Sequence, residues 1–312
     1  MPRSYLARHL AFSVLVVLGV ALATFLLLHT VPGDPAQAVL GEHARPAAVA
    51  ALRRQWGLSD SLPQQLGHFV ADLVTLRLGE SYFYNTPVTT LIGSHIGVTA
   101  ALVVVASVFA VIITLPLATL AAARRDGIAD HLVRAITVTG LGMPSFWFGI
   151  VLIEVFALRL HILPVGGSGS SPAGFARALV LPGLTAALAI VPLLVRSLRV
   201  GMIEVLDSDF VATARAKGLR EPRVLIWHVA RNAVIPTLTL LGLNIAFLVG
   251  STVVVERVFA LNGLGSLLLD AIINRDFPVV QSVTLVLAVS VVVINLLTDL
   301  AAARLDPRIR LR

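Results

Sequence analysis

The sequence lacks cysteine altogether and contains few charged residues. Without cysteine, the chain cannot form a disulfide framework, a thiolate metal site or a cysteine nucleophile. Asp, Glu, Lys and Arg make up only 13% of the 312 residues, about half the share in a typical soluble domain, and could not cover a water-facing surface. Apolar residues make up 57%, and the mean hydropathy is +0.91. This composition argues against a soluble enzyme and predicts a membrane protein.

Motifs for hydrolytic and metal chemistry are also missing from the sequence. No string matches the nucleotide-binding pattern GxxxxGK followed by Ser or Thr, so we expect that the chain does not hydrolyse ATP by itself. The histidines include no i, i+4 pair and no HExxH motif, which argues against a metal site. Ser145 and Ser197 have no evident base partner for hydrolysis. The sequence therefore predicts no catalytic residue and no metal or cofactor on this chain.

Long uncharged runs, in contrast, are frequent. A bilayer core about 30 Å thick requires a helix of about 20 apolar residues. Six runs of at least 18 uncharged residues meet this requirement. They predict an all-α membrane protein with six transmembrane helices in a single domain over residues 1–312. The helices are expected near residues 10–30, 96–123, 132–158, 178–200, 232–255 and 277–303.

The first run has some features of a secretory signal. Arg3 and Arg8 precede it, and an Ala-x-Ala triplet at residues 36–38 follows it. However, the run has 19 uncharged residues, more than the roughly 7–15 of a signal peptide core. The Pro32–Pro35 stretch between them is also a poor match for a signal peptidase, which binds its substrate in extended conformation. We therefore favour an uncleaved signal-anchor helix over a cleaved signal.

The distribution of basic residues predicts the orientation of the spans. The N-terminus, the loops near 124–134 and 196–231, and the C-terminal tail carry 16 of the Lys and Arg residues. The alternate segments 31–95, 154–177 and 256–276 carry 8, although the first is the longest loop. Because basic residues accumulate on the cytoplasmic side, both termini are predicted to be cytoplasmic. Topology then accounts for the positive net charge, and nucleic-acid binding loses its main support.

The longest predicted external segment, residues 31–95, contains two helix patterns. Residues 46–56 begin with Pro46 and are followed by Gly57, which is a favourable capping asymmetry. Residues 62–78 place apolar side chains at three- and four-residue steps, as in an amphipathic helix. Both helices are expected to lie on the membrane surface or to cover the outer mouth of the bundle.

The most informative segment is the predicted cytoplasmic loop Gly201–Arg231. It is rich in charges of both signs and far longer than a simple connector. The loop resembles the EAA loop of ATP-binding-cassette importer permeases, specifically the dipeptide, oligopeptide and nickel family. The residues that carry this resemblance are Asp209–Val211, Thr213–Leu219, His228, Arg231–Ala233 and Ile235–Pro236.

The resemblance extends over nearly the whole chain. Two departures from the general EAA pattern, Ala212–Ala214 in place of Glu-Ala-Ala and Arg231–Asn232 in place of Leu-Pro, are usual in the peptide and nickel branch. Ile96–Gly97 also stands where the family has Leu-Pro. The other matching strings are Pro32–Pro35, Gly79–Ser81, Pro87–Val88, Met143–Phe148, Leu163–Pro164, Val255–Phe259, Gly263–Gly265, Arg275–Gln281 and Leu305–Arg310.

The resemblance implies the type I importer permease fold in the bacterial inner membrane. It also implies a second permease, two ATPase subunits that carry ATP and Mg, and an external solute-binding protein. The expected cargo is a di- or oligopeptide, with nickel or another small solute as the alternative. The residues expected to couple the permease to the ATPase are Asp209, Phe210, Thr213, Ala214, Arg215, Ala216, Lys217 and Gly218.

The residues of this segment suit such a contact. Ala212, Ala214 and Ala216 are small and helix-favouring, and would allow close approach to a groove in a partner. Gly218 is expected to end the helix at the C′ position. The basic residues of the loop could pair with carboxylates across an interface or with lipid phosphates; they are Arg215, Lys217, Arg220 and Arg223. The alternative is an amphipathic linker that lies on the membrane surface.

A stand-alone transporter or an intramembrane enzyme is the rival function. Either would need acids, bases or a lysine deep in the membrane, and the uncharged runs contain none. Glu154 and Asp299 lie only at the edges of the third and sixth runs. Intramembrane acids are functional candidates by default, but here Arg159 and Arg304 are close enough in sequence to pair with them. We therefore expect structural roles for both acids.

Overall fold

In a computed structural model, the structure describes residues 3–305 except 31, 42, 76, 168 and 170, with side chains from residue 11 to residue 304. The described chain is helical, and an isolated bridge joins Glu80 to Pro87. Of the Leu305–Arg310 string, only Leu305 belongs to the described residues. The α-helices are α1 Arg3–Thr30, α2 Pro35–Leu40, α3 Pro46–Gln55, α4 Leu62–Val74, α5 Val88–Ala123, α6 Ile128–Leu141, α7 Ser145–Leu152, α8 Pro172–Ala178, α9 Val180–Leu206, α10 Asp209–Ala216, α11 Glu221–Arg223, α12 Arg231–Val258, α13 Leu264–Ile273 and α14 Phe277–Leu305.

Five of the six predicted spans are present as long apolar helices, and the third is present as a bent pair of shorter helices. Two π-helical segments, Ile153–Arg159 and Val224–Ala230, extend α7 and join α11 to α12. Five spans are continuous, and the third is a bent pair. The continuous spans are Ala11–Thr30, Val88–Ala123, Pro172–Leu206, Glu221–Val258 and Phe277–Arg304. The prediction of an all-α membrane protein is confirmed, and the number of spans is six when the bent pair is counted as one.

The third span differs from the straight helix that residues 132–158 predict. Helix α6 ends at Leu141, α7 begins at Ser145, and the two halves, α6 and Ser145–Arg159, are bent by 107°. Pro144 stands between them with extended backbone angles (φ −62°, ψ 139°). A proline removes a helical N–H, and it also disfavours helical geometry in the residue before it. The break therefore falls where the Met143–Pro144 pair interrupts the ladder of hydrogen bonds.

The described residues form two compact units. One combines those of Met1–Val98 with Asn262–Ser290, and the other combines those of Thr99–Leu261 with Val291–Arg312. We call the first the N-terminal unit and the second the central unit. The single domain expected over residues 1–312 stays a prediction.

Helix α9 is the core of the central unit. In the span Pro172–Leu206, which contains α9, 72% of the most apolar stretch is buried, against 28–33% in the spans Val88–Ala123, Glu221–Val258 and Phe277–Arg304. Small residues let the neighbouring helices approach α9 closely. A Cβ atom at Gly183 would lie 2.5 Å from Val105 Cγ1, and one at Gly201 would lie 3.2 Å from the Ala233 carbonyl oxygen. Helices α6, α7 and α12 all pack against α9.

The N-terminal unit has an apolar core of its own. The start of α5, helix α13 and the start of α14 bury aliphatic side chains against one another, including Val88, Ile92, Leu267, Ala271 and Val283. In this unit the Pro32–Pro35 and Arg275–Gln281 strings come together. The Arg275 guanidinium crosses directly over Gly33 and occupies the space that a Cβ atom would need there.

The two helices predicted in the external segment are present. Helix α3 covers Pro46–Gln55, and Gly57 follows it with φ +69°. Helix α4 covers Leu62–Val74, so it ends before the predicted residue 78, and Leu76 lies outside the described residues. Every residue of α3 and α4 is described, and none of them is fully buried. These helices therefore flank the core of the N-terminal unit without entering it.

Candidate functional site

Helix α10 is a short, sharply bounded element of the predicted coupling loop. Ser208 precedes it in extended conformation, and Asp209 lies in its first turn, where a carboxylate suits the helix dipole. Gly218 has φ +76°. The Leu219 N–H donates to the Ala214 carbonyl (3.3 Å), and the Gly218 N–H donates to the Arg215 carbonyl (2.9 Å). This pair of bonds is a Schellman motif, and it confirms Gly218 as the residue that ends the helix.

Helix α10 has one inward and one outward face. Val211 and Ala214 are 0% and 6% exposed, and α10 packs against the π-helical segment Val224–Ala230. Positions 209, 212, 213 and 216 lie on the opposite side of the helix, and their side chains are exposed. The outward face is therefore formed by Asp209, Ala212, Thr213 and Ala216, with Phe210 beside it at 47% exposed.

The expectation that three alanines form one docking face is corrected by this geometry. Residues two apart on an α-helix are separated by about 200° around its axis. Ala212 and Ala216 point outward, whereas Ala214 is buried against the chain itself. Ala214 thus holds α10 in place, and the surface that a partner could reach excludes it.

The basic side chains of the loop also divide into two kinds. Arg215 donates from Nε to Glu221 Oε1 (2.7 Å) and from Nη2 to Glu221 Oε2 (3.4 Å). This bidentate pair lies on the surface and connects the last turn of α10 to the first residue of α11, across the turn at Gly218. Arg215 is therefore engaged within the chain, and its pairing across an interface stays a prediction. Lys217, Arg220 and Arg223 are exposed, and within the described part of the chain they have no ion-pair partner.

A buried ion pair that the sequence did not reveal lies close to this loop in the central unit. Asp130 of α6 is 0% exposed, and both of its oxygens accept bonds of 2.6 Å from Arg199 of α9. The Asp126 N–H also donates to Asp130 (3.0 Å), and Arg134 Nε lies 3.7 Å away. The pair therefore fastens α6 to the end of α9 that leads into α10.

A second, exposed ion pair lies nearby. Arg125 Nη1 is 3.4 Å from Asp207 Oδ2, and the two side chains are 55% and 71% exposed. It joins the turn between α5 and α6 to the residue that caps α9. Solvent screens such a pair, so it contributes much less than the buried one.

The remaining sequence candidates fall in structural positions. Glu154 pairs with Arg159 at 2.9 Å, as the sequence predicts. Ser197 shares a hydrogen bond with Thr237 across α9 and α12 (3.2 Å), and Ser145 is the first residue of α7. No group of three potential metal ligands is found among the residues with described positions.

Glu256 and Asp276 are buried carboxylates that sequence reasoning missed. Glu256 accepts a hydrogen bond from Thr99 (2.7 Å), and both residues belong to the central unit. In the N-terminal unit, Asp276 accepts from Ser81 Oγ and from the N–H groups of Tyr82 (3.1 Å) and Phe83 (3.3 Å). Each acid lies within a string that had carried the family resemblance, but nothing in one sequence showed that it is buried.

Comparison with known protein families covers nearly the whole chain. The family described as "Binding-protein-dependent transport system inner membrane component" matches residues 114–311. Its N-terminal companion, the N-terminal part of such membrane components, matches residues 1–103. Both matches describe membrane subunits of transport systems.

Curated relatives are similar over their full lengths. A putative peptide transport system permease protein of Brucella melitensis is 37% identical over 99% of both chains. A probable peptide ABC transporter permease protein of Sinorhizobium fredii is 36% identical over 98% of this chain and 99% of its own. The glutathione transport system permease protein of Pectobacterium atrosepticum is 36% identical over the same shares.

A solved structure shares the fold. A chain of the inward-facing MetNI methionine ABC transporter superposes with a TM-score of 0.60, covering 70% of this chain and 98% of that chain. The two sequences are only 18% identical, so the likeness concerns the helical architecture alone.

Proposed function

We propose a function from one premise: this chain belongs to the family of binding-protein-dependent transport system inner membrane components, the permeases of ATP-binding-cassette importers. It is accordingly a multi-pass protein of the bacterial inner membrane with the type I importer permease fold. The observation that carries the proposal is the match, over 98–99% of this chain, to permeases named for peptides and glutathione. The cargo is therefore a short peptide, and these relatives favour it over nickel.

The permease works with partner subunits. A second permease completes the translocation path, two ATPase subunits bind ATP and Mg, and an external binding protein delivers the peptide. The cycle is one of alternating access, in which ATP binding closes the ATPase pair and changes which side of the path is open. A bound nucleotide can shift that equilibrium only by its different affinity for the two states, so no chemistry on this chain is needed.

Helix α10 is the element that receives the movement of the ATPase. Its outward face is small at Ala212 and Ala216 and carries the exposed Phe210 at its edge, which suits insertion into a groove. Its inward face is buried, and its end is fixed by the Schellman bonds and by the Arg215–Glu221 pair. A short helix anchored in this way moves as a rigid body, so a push on it passes to α9 and α12.

A substitution on the outward face tests this role. In Ala216→Trp, the indole would overfill a packed contact at a cost of about 1–3 kcal/mol, which weakens docking by roughly 5- to 150-fold. We expect normal membrane insertion, loss of peptide uptake and reduced co-purification of the ATPase subunits.

Ile226→Trp is the matched control, because it adds the same ring at a 58% exposed site in the neighbouring π-helical segment. It should retain uptake and ATPase recovery. If α10 were only a linker on the membrane surface, the two variants would behave alike, because a tryptophan is favourable at that interface.

A further inference from the structure

The N-terminal unit contains a half-open cavity of about 470 Å³. Helices α3 and α4, the 77–85 turn and the start of α14 form its walls. Its size lies within the roughly 300–1,000 Å³ of small-molecule sites. All of its lining residues belong to this one unit.

Contacts between lining residues hold the walls of the cavity in position. Trp56, which follows α3, stacks on Tyr82 with ring centroids 3.9 Å apart and planes 9° apart. Asp276 in turn fixes the backbone of Tyr82. On the other side, His29 of α1 is hydrogen-bonded to Gln65 of α4 (2.9 Å). The stack and the hydrogen bond therefore keep the walls in position. Burial does not do so, because no residue of α3 or α4 is fully buried.

A second contact, between aromatic rings, joins α1 to α4 at the same wall. The rings of Phe25 and Phe69 stack with centroids 5.8 Å apart. Gln65 is itself oriented, because its amide nitrogen donates to the Asp60 carbonyl (2.9 Å). The amide oxygen of Gln65 therefore faces His29. Aromatic and hydrogen-bonded contacts, rather than close aliphatic packing, keep α4 in position.

The polar lining carries charges of both signs. Arg77, Asp72 and Glu80 all line the cavity. Within the described part of the chain, none of these three side chains has an ion-pair partner. Gln281, in the second turn of α14, also lines the cavity. A basic residue, two exposed acidic residues and an amide residue therefore line the same half-open cavity as the Trp56–Tyr82 stack.

We infer that this cavity is a binding site for a short zwitterionic peptide. The peptide carboxylate would pair with Arg77, its ammonium group with Asp72 or Glu80, and an apolar side chain would pack on Trp56 and Tyr82. The choice of a peptide rests on the proposed function. The mixed charges disfavour a simple anion or cation, and the volume excludes a folded protein domain. The site lies in the N-terminal unit, apart from the α10 contact.

Protection of an introduced thiol tests the site, since the chain has no cysteine of its own. In the intact transporter, Gln281→Cys would place one thiol of this chain in the cavity, and modification by a maleimide is followed as a gel shift of this chain. Trialanine should slow the modification in a saturable manner. Asp60→Cys, at an exposed position outside the lining, should be modified at the same rate with and without the peptide.

Two further comparisons test the chemistry. N-acetyl-trialanine amide, which lacks both charges, should protect at least about tenfold less well, and Arg77→Gln should lower the apparent affinity for trialanine by about tenfold. Equal protection by the uncharged peptide, or no protection by trialanine up to its solubility limit, would overturn the inference.

Peptide uptake separates this inference from the proposed function. Uptake without thiol protection would reject the cavity site and leave the importer function standing. Protection in a transporter that takes up no peptide would reject peptide import and retain the site.

Discussion

The buried pair between Asp130 and Arg199 gives a quantitative prediction for Asp130→Asn. The carboxylate accepts two bonds of 2.6 Å, and Arg199 is only 15% exposed. Asparagine keeps one acceptor oxygen but turns an NH₂ group toward the guanidinium, so the buried cation loses its counter-charge. Breaking a buried ion pair in this way costs about 3–5 kcal/mol. At about 2 °C per kcal/mol for a chain of this size, the melting temperature should fall by about 6–10 °C.

The assay is thermal unfolding of the detergent-solubilised permease, followed by the fraction that stays monodisperse after heating. Asp207→Asn is the matched control, because it removes the same charge from the exposed pair with Arg125. That pair is worth at most about 1 kcal/mol, so the melting temperature should change by no more than about 2 °C. Equal shifts for the two variants would refute the reasoning that burial makes the Asp130 pair strong.

Three further outcomes are expected. Gly218→Val should reduce uptake and ATPase recovery, because the φ of +76° costs a branched residue about 1–2 kcal/mol. The space around Gly218 is open, so this cost comes from the backbone and not from a clash. Gly218→Asn, which tolerates positive φ, should retain most function. Burial, helped by the Asp276 charge, raises the pKa of Tyr82 from 10.0 to about 12. Between pH 10 and 12 the folded protein thus keeps a proton that the unfolded chain releases, so the free energy of unfolding should fall as the pH rises. When unfolding is measured against pH, Tyr82→Phe should show a shallower fall. Reporter fusions at Leu62 should read external and at Arg215 cytoplasmic; the reverse pattern would contradict the predicted orientation.

Local signals in the sequence predicted the spans and the end of α10. A long uncharged run needs no partner to be recognised, because the bilayer is its solvent. Gly218 was likewise predictable, because a glycine after a helix-favouring stretch meets a backbone requirement that nearby residues set. The break at Pro144 was harder to foresee. Pro116, Pro192 and Pro236 also lie in apolar stretches, yet each remains inside a helix.

Contacts between distant residues could not be predicted from one sequence. Asp130 and Arg199 are 69 residues apart, and nothing local distinguishes this aspartate from the other acids of the loops. The mistaken role of Ala214 has a different cause. Alternate alanines were taken as one small face, although a period of two suits a strand and not a helix. Counting 100° per residue from Val211 would have separated Ala214 from Ala216.

The hydrogen bonds of Asp276 also bear on how the protein is made. Ser81 and its carboxylate partner are separated by 195 residues, so the ribosome completes one long before the other. At about 5–20 residues per second, the wait is about 10–40 s. Throughout that interval the early part of the N-terminal unit lacks α13 and the start of α14, which supply much of its apolar core. The folding of this early part of the unit is therefore tied to the arrival of the final span.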